Sequence, residues 1–254
     1  MRLERKNALI SGVAGDIGRA VAMKFAAEGA RLILTDIDPK GGQQTLEALG
    51  DQARDSIFLP ADLTSEAEIV ALFEQAKQQA GRIDILVNIA GGDYEAMVGF
   101  DEMSLEGINR NLSINLSSCM LCCREASKIM MAQNSGKIIN MCSVCYRGAP
   151  TPMQQSYGAS KGGIFSFTRG MAMNLGMYNV TVNAVAPSLV EVAAIKDQVG
   201  PEMWEAISTD AAGRYPLGRV GQPEDVANCF LFLASEEADF ITGQLIEVSG
   251  GARL

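Results

Sequence analysis

Short apolar runs alternate with longer amphipathic stretches along most of this chain. Seven runs are rich in Ile, Leu and Val and end at polar residues, glycine or proline, which is typical of buried strands in a parallel sheet. The predicted strands cover residues 7–10, 31–36, 57–61, 83–88, 137–141, 180–185 and 244–248.

Helical patterns fill the intervals between these runs. They cover residues 19–28, 103–131 and 223–234, and Thr64 or Ser65 caps an acidic helix that runs through Gln79. Alternating strands and helices predict an α/β fold, a doubly wound parallel sheet of about seven strands with helices on both faces. No repeat, low-complexity tract or linker interrupts the pattern, so we expect one domain over residues 1–254.

A glycine-rich turn follows the first strand directly. Residues 11–18 read Ser-Gly-Val-Ala-Gly-Asp-Ile-Gly and lead into a helix, an arrangement in which backbone N–H groups face a phosphate. The second strand ends at Asp36, 24 residues after Gly12, where an acid that binds a ribose is expected. The pattern therefore predicts a Rossmann-like nucleotide site.

Composition and charge exclude several other classes of function. The 254 residues carry a formal net charge of −9 and no block of Lys or Arg, which argues against nucleic acid or an anionic membrane as partner. No window approaches the 18 or so apolar residues that a membrane span requires. We expect a cytoplasmic protein.

The cysteines allow one alternative reading. Cys119 with Cys122 and Cys142 with Cys145 form two C-x-x-C pairs at a spacing that some zinc sites use. The first pair lies in an apolar helical run, where cysteine commonly acts as a small buried hydrophobe. We therefore expect reduced thiols and no metal.

The chain contains no histidine, so proton transfer must use other side chains. Tyr157 and Lys161 are four residues apart, which places a phenol and an ammonium one turn apart on a helix. A nearby cation favours the ionised phenol. Ser143 adds a hydroxyl after the fifth strand, where α/β sheets carry their chemistry.

Residues 188–216 contain no clear strand pattern. Gly200-Pro201, Trp204 and Tyr215 suit a mobile helical lid over a pocket, and a surface excursion is the alternative.

Taken together, these residues make the chain resemble the short-chain dehydrogenase/reductase family over essentially its whole length. The ending of the chain, Thr242-Gly243-Gln244 through Gly250-Gly251, adds to the motifs above. The remaining motif residues are Asp62-Leu63, Asn88-Ile89-Ala90-Gly91, Asn115, and Asn183 with Pro187.

The resemblance implies a role for each matching residue. Tyr157 would be the catalytic acid/base, Lys161 would lower its pKa and bind the nicotinamide ribose, Ser143 would hold the reacting oxygen, and Asn115 would hold a water. The implied cofactor-binding residues are Gly12, Gly15, Asp16, Ile17, Gly18, Asp36, Asp62, Leu63, Asn88, Ala90, Gly91, Tyr157, Lys161, Pro187 and Val190.

Asp36 bears on the choice of cofactor. A carboxylate there accepts hydrogen bonds from both ribose hydroxyls and repels a 2′-phosphate, and Gly15 stands where phosphate-binding relatives often carry Arg or Lys. We therefore expect NAD rather than NADP.

Four positions depart from the family pattern. Asp16 stands where single-domain members usually have glycine, Ile89 replaces a usual Asn, and Ser188 and Val192 replace a Gly and a Thr that contacts the nicotinamide. The spacing of Gly12, Gly15 and Gly18 matches members that modify nucleotide sugars, but no residues remain for their C-terminal domain.

The resemblance implies hydride transfer between NAD and a secondary alcohol or ketone, in a homotetramer with a small-molecule substrate. An NADPH-dependent 3-oxoacyl thioester reductase is the nearer alternative, and a non-catalytic nucleotide-binding regulator is the distant one. Substrate determinants are expected in residues 93–98, 144–153 and 188–215. The apolar side chains there suggest an apolar, cyclic or aromatic substrate: Tyr94, Met97, Tyr146, Met153 and Trp204.

Overall fold

A seven-stranded parallel sheet forms the centre of the computed structural model, which describes residues 1–94, 98–148 and 153–252. The strand order is β3-β2-β1-β4-β5-β6-β7, and all the neighbouring pairs are parallel. This confirms the predicted fold class. The strands are Asn7–Ser11 (β1), Arg31–Thr35 (β2), Ile57–Phe58 (β3), Ile85–Asn88 (β4), Gly136–Met141 (β5), Val180–Pro187 (β6) and Leu245–Val248 (β7).

Helices cover both faces of the sheet and separate the apolar residues into two cores. Along β1, Ala8 and Ile10 pack in one core with helices α1 and α9, while Leu9 packs in the other with α3 and α5. Among the described residues, no helix is both long and apolar enough to cross a membrane. The helices are Asp16–Ala27 (α1), Pro39–Ala48 (α2), Glu66–Ala80 (α3), Leu105–Leu112 (α4), Ser118–Gln133 (α5), Gln155–Leu175 (α6), Ala193–Val199 (α7), Pro201–Arg214 (α8) and Pro223–Ala234 (α9).

Several element boundaries differ from the sequence prediction. The third strand has only two residues instead of 57–61, because Pro60 has no N–H to continue the ladder, although the N–H groups of Leu59 and Ala61 still donate to β2 carbonyls and to Asp36. The predicted helix 103–131 is two helices, α4 and α5, joined by a π-helical turn at Ser113–Ser117. Helix α2 was not predicted.

The strand order places a crevice at the carboxyl ends of β1 and β4. The chain departs from β1 toward β2 on one side, and β4 lies on the other, so this is the point where parallel sheets of this kind bind ligands. Ser11 joins the end of β1 to the loop after β4, because its Oγ accepts hydrogen bonds from the N–H groups of Ile89 (3.1 Å) and Ala90 (3.2 Å).

The sequence predicted a helical segment over residues 188–216, and the structure contains α7 and α8 there. Its Trp204 is 8% exposed and packs in a small cluster with Leu189 and Tyr215. Lys196 Nζ also lies 5.6 Å from the centre of the Trp204 ring. Trp204 therefore holds the segment together.

Candidate active site

Tyr157 and Lys161 lie on the first two turns of α6. Lys161 is buried, and its Nζ donates a 3.1 Å hydrogen bond to the carbonyl of Met141 at the end of β5. The same Nζ lies 5.4 Å from the centre of the half-buried Tyr157 ring. The predicted phenol and ammonium therefore share one face of the helix.

Ser143 lies just beyond the end of β5, at the start of the short 3-10 turn Val144–Arg147. Its Oγ accepts a hydrogen bond from the Cys145 N–H (3.3 Å), and it also hydrogen-bonds Tyr157, a contact that lowers the phenol's pKa. The structure thus brings Ser143, Tyr157 and Lys161 together from β5 and α6.

Burial is the largest cause of the pKa shifts of Tyr157 and Lys161. Burial raises the pKa of Tyr157 above its ordinary value, the neighbouring Cys145, Cys142 and Asp93 raise it further, and the Ser143 hydrogen bond opposes them. Burial also lowers the pKa of Lys161. The resemblance implied a lowered phenol pKa, and the structure gives the opposite net direction because the loss of hydration outweighs the favourable contacts.

Asn115 is buried in the π-helical turn Ser113–Ser117. Its Nδ2 donates to the carbonyls of Gly92 (2.8 Å) and Asn111 (3.0 Å), and its Oδ1 accepts from the Gly92 N–H (3.2 Å). A Cβ on Gly91 would lie 2.5 Å from that Oδ1 and 3.7 Å from Lys161 Nζ. Gly91 therefore lies close to both Asn115 and Lys161.

The glycine loop is built for close approach of backbone. Gly12 has a φ of +73°, and a Cβ there would lie 2.7 Å from Ala90 N. A Cβ on Gly18 would collide with the Gly12 carbonyl. Among the described residues, no side chain caps the N-terminus of α1, where Gly15 is the N-cap. These features fit a phosphate group on the loop.

Asp36 and Asp16 carry carboxylates on either side of this loop. Asp36 Oδ2 accepts from the Ala14 N–H (2.9 Å) and its Oδ1 from the Asp38 N–H (3.0 Å), so the acid lies at the end of β2 beside the loop. Asp16 Oδ2 accepts from the Ala193 N–H at 2.6 Å, which joins the loop to α7.

The other predicted cofactor residues have different surroundings. The side chain of Asn88 is buried and donates to Asn140 Oδ1 (2.9 Å) and Cys123 Sγ (3.3 Å), so only its backbone is left to line a cofactor site. Asp62 is half-buried, and its Oδ1 accepts from Thr64. Of the remaining four, Leu63 and Val190 are buried, Ile17 packs against the core, and Pro187 ends β6.

The predicted substrate-facing residues differ in their contacts. Tyr94 is exposed beneath the Arg110 guanidinium (4.3 Å to the ring centre), and Tyr146 donates to Glu247 Oε1 (3.0 Å). Met153 pairs with Gly99 in an isolated bridge. Met97 lies outside the described residues.

The cysteines of the two C-x-x-C pairs are buried and reduced. Burial raises the pKa of Cys142 to about 11 and also raises the pKa of Cys122 and Cys145. Among the residues that the structure describes, no three or more His, Cys, Asp or Glu side chains are grouped so that they could hold a metal ion.

Known proteins resemble this chain over nearly its whole length. Residues 12–253 match a family model described as enoyl-(acyl carrier protein) reductase. The 3alpha-hydroxysteroid dehydrogenase of Mediterraneibacter gnavus is 36% identical over 257 residues, which cover 100% of this chain and 99% of that protein. The 3-oxoacyl-(acyl-carrier-protein) reductase FabG of Thermotoga maritima is also 36% identical over 257 residues, covering 99% of each. This chain belongs to the short-chain dehydrogenase/reductase family.

A solved structure of the same short-chain dehydrogenase/reductase family extends the similarity. It is a 7 alpha-hydroxysteroid dehydrogenase complexed with NADH and 7-oxo glycochenodeoxycholic acid. The two share 32% identity and a TM-score of 0.91, over 99% of this chain and 95% of that one.

The sequence analysis missed one residue of this short-chain dehydrogenase/reductase site and the role of another. Ser11 was included in the glycine-rich motif, but its hydrogen bonds to the loop after β4 were not predicted. Asn111 was missed, and it is fully buried between the loop after β4 and α6. Asn111 precedes Asn115 by four residues, so its position on the same helix face was the available signal.

Proposed function

We propose that this protein transfers a hydride between NAD and a secondary alcohol or ketone, with Tyr157 as the catalytic acid/base. The observation that carries this proposal is the convergence of the Ser143 hydroxyl, the Tyr157 phenol and the Lys161 ammonium. It is the arrangement that a polarised carbonyl or carbinol oxygen requires, with one group to hold it and one to exchange a proton.

In alcohol oxidation, Ser143 holds the substrate oxygen while the Tyr157 phenolate takes its proton. The carbon–hydrogen bond breaks as the carbonyl forms, and the nicotinamide supplies the acceptor for that hydride. Burial of Tyr157 opposes formation of this phenolate, and the positive charges of the Lys161 ammonium, 5.4 Å from the ring centre, and of an oxidised nicotinamide would offset that cost. In ketone reduction each transfer runs in reverse.

The glycine loop and Asp36 support a dinucleotide rather than a mononucleotide. Gly12 and Gly18 let the loop pack closely on neighbouring backbone, and the N-terminus of α1, which no side chain of the described residues caps, would hold a pyrophosphate. Asp36 lies at the end of β2 beside the loop, where an adenosine ribose would present its hydroxyls. Ala90, Gly91, Asp62 and Leu63 line the crevice between these points. The NADH complex of the related 7 alpha-hydroxysteroid dehydrogenase supports this assignment.

We also propose a homotetramer with the 188–216 segment as its substrate lid. The large side chains of Met173, Met177 and Phe240 are 87%, 80% and 104% exposed in the single chain, which supports burial between subunits. Sedimentation analysis would test it, with an expected mass about four times the 27.0 kDa of one chain.

A 3-oxoacyl thioester reductase that uses NADPH is the second candidate. The Thermotoga maritima relative favours it, and the description of the matching family model also names the acyl carrier protein, although for an enoyl reductase. Asp36 opposes it, because a carboxylate repels the 2′-phosphate of NADPH.

The proposal is tested by following NADH absorbance with a panel of cyclic and aromatic secondary alcohols and ketones. Tyr157→Phe should lower kcat by roughly 10³-fold while NADH still binds, because general acid–base catalysis contributes about that much. Tyr178→Phe is the matched control, since Tyr178 packs against a core cluster outside the site. Full activity of Tyr157→Phe on a wild-type substrate would rule out the mechanism.

A further inference from the structure

The loop after β4 brings a carboxylate to the active site that the proposed mechanism does not use. Successive residues of this loop step along α6 toward its N-terminus. Gly91 lies beside Lys161, and Gly92 bonds Asn115. Asp93 is the next residue of the loop, and its hydrogen bonds show where it lies relative to Tyr157.

Asn111 connects Asp93 to the first turn of α6. Asn111 Nδ2 donates to Ser156 Oγ (2.8 Å) and to Asp93 Oδ1 (3.4 Å), while its Oδ1 accepts from the Tyr94 N–H (3.1 Å). Ser156 immediately precedes Tyr157. Gly91 is therefore near one side of the Tyr157 residue on the helix and Asp93 near the other.

The electrostatics agree with this placement. The negative charge of Asp93 raises the pKa of both Tyr157 and Cys145, which agrees with the position that the Asn111 hydrogen bonds give it beside the first turn of α6. The other groups that influence the Tyr157 phenol are Ser143, Cys142 and Cys145. The Lys161 ammonium donates to Met141 and lies on the Gly91 side, and Arg110 packs over Tyr94.

We propose that Asp93 is the substrate-recognition residue and that it selects alcohols and ketones carrying a hydrogen-bond donor, a hydroxyl or an ammonium, next to the reacting carbon. A carboxylate only accepts hydrogen bonds, and its bonds to donors are strengthened by its charge. Substrates with a carboxylate or phosphate at that position are repelled. This inference rests on the proposed function and names its substrate class.

The test uses equilibrium binding, which does not depend on turnover. The probes are trans-2-aminocyclohexanol, cyclohexanol and trans-2-hydroxycyclohexanecarboxylate, and the readout is the fluorescence of NADH bound to the full-length protein. The wild type should bind the amino alcohol roughly tenfold or more tighter than the hydroxy acid. Asp93→Asn should reduce this ratio to about threefold or less, because the amide keeps the size of the side chain and removes its charge.

Two further variants separate charge from structure. Asp93→Glu retains the charge and should retain the preference. Asp101→Asn removes an exposed carboxylate from the same loop and should leave the wild-type ratio unchanged. In addition, Asp93→Asn should move the pH profile of alcohol oxidation to lower pH, which loss of a merely structural contact would not do.

The outcomes distinguish this inference from the proposed function. A wild-type protein that binds the amino alcohol no better than the hydroxy acid, or not at all, contradicts the role of Asp93, as does an unchanged ratio in Asp93→Asn. If the protein oxidises alcohols but does not bind the amino alcohol more tightly than the hydroxy acid, the role of Asp93 is wrong and the proposed function is unaffected. The preference without turnover of any alcohol or ketone supports the role of Asp93 and removes the proposed reaction.

Discussion

The Asp16 carboxylate accepts a 2.6 Å hydrogen bond from the backbone N–H of Ala193, across 177 positions of sequence. Ala193 is the first residue of α7, so a negative charge lies at the N-terminus of that helix, where its dipole is positive. Asp16 therefore joins the glycine loop to the 188–216 segment.

We predict that Asp16→Gly, which restores the residue usual in the family, loosens α7. Backbone amides of residues 193–199 should exchange with solvent about threefold to tenfold faster, since a charge-assisted hydrogen bond is lost at a partly exposed site. Hydrogen exchange followed by mass spectrometry measures this.

Glu224→Gln is the matched control for this comparison. Glu224 is an exposed acid in the first turn of α9 and should leave exchange in α7 unchanged. Equal exchange in wild type and Asp16→Gly would show that Asp16 does not hold the segment.

Asp36 makes the cofactor preference testable by substitution. NADH should bind at least about tenfold more tightly than NADPH. The Asp36 carboxylate would repel the 2′-phosphate of NADPH, because unit charges about 4 Å apart repel by about 1 to 4 kcal/mol at protein surfaces. Asp36→Asn keeps an acceptor for the Ala14 N–H and should reduce the difference between the affinities for NADH and NADPH.

Asp38→Asn provides the control for the cofactor measurement. Asp38 lies two residues further on and caps α2 by accepting from the Lys40 N–H (3.0 Å), so its loss should leave the preference as it is. Tighter binding of NADPH than of NADH to the wild type would contradict the argument from Asp36 and favour the thioester reductase.

The fold could be predicted from sequence because its signals are local. Each strand is a contiguous apolar run, and Gly12 through Gly18 follow the first strand directly. Tyr157 and Lys161 share a helix, so their proximity also follows from spacing. The pair between Asp16 and Ala193 could not be predicted, because it depends on how a distant segment packs.

The sequence predicted which residues form the site better than it predicted their pKa values and hydrogen bonds. The direction of the Tyr157 pKa shift depends on how much water the fold removes, and no spacing rule reports that. Asn88 was predicted to line the cofactor, yet its amide pairs with Asn140 on the neighbouring strand. Such choices depend on the register between strands, which the sequence does not encode locally.

Cys142 should make stability fall at high pH. Burial raises its pKa from 9.0 to about 11, so the folded protein holds the thiol proton more tightly than the unfolded chain does. This contribution to stability is present below about pH 9 and is lost as the pH rises through about 11. It amounts to at most about 3 kcal/mol.

Urea denaturation of wild type and Cys142→Ala at about pH 8 and about pH 11 measures the contribution of Cys142. The difference in unfolding free energy between the two pH values should be smaller in the variant. Each variant serves as its own reference, so the packing lost with the sulfur cancels. An identical pH dependence in both proteins would contradict the shift.

Gly18 and Gly15 allow the geometry of the glycine loop to be tested within one turn. A Cβ on Gly18 would collide with the Gly12 carbonyl, which belongs to rigid backbone, whereas a Cβ on Gly15 would lie 3.6 Å from the same oxygen, an ordinary contact. Gly15 also has a φ of −81°, which alanine adopts freely.

Gly18→Ala should therefore destabilise the protein by about 2 kcal/mol or more and weaken NADH binding, because the loop must shift to accept the methyl group. Gly15→Ala should change the unfolding free energy by at most about 0.5 kcal/mol, since an exposed glycine with compatible backbone angles tolerates alanine. Urea denaturation and NADH fluorescence titration measure both. Equal destabilisation by the two substitutions would mean that the contact between Gly18 and Gly12 does not set the shape of the loop.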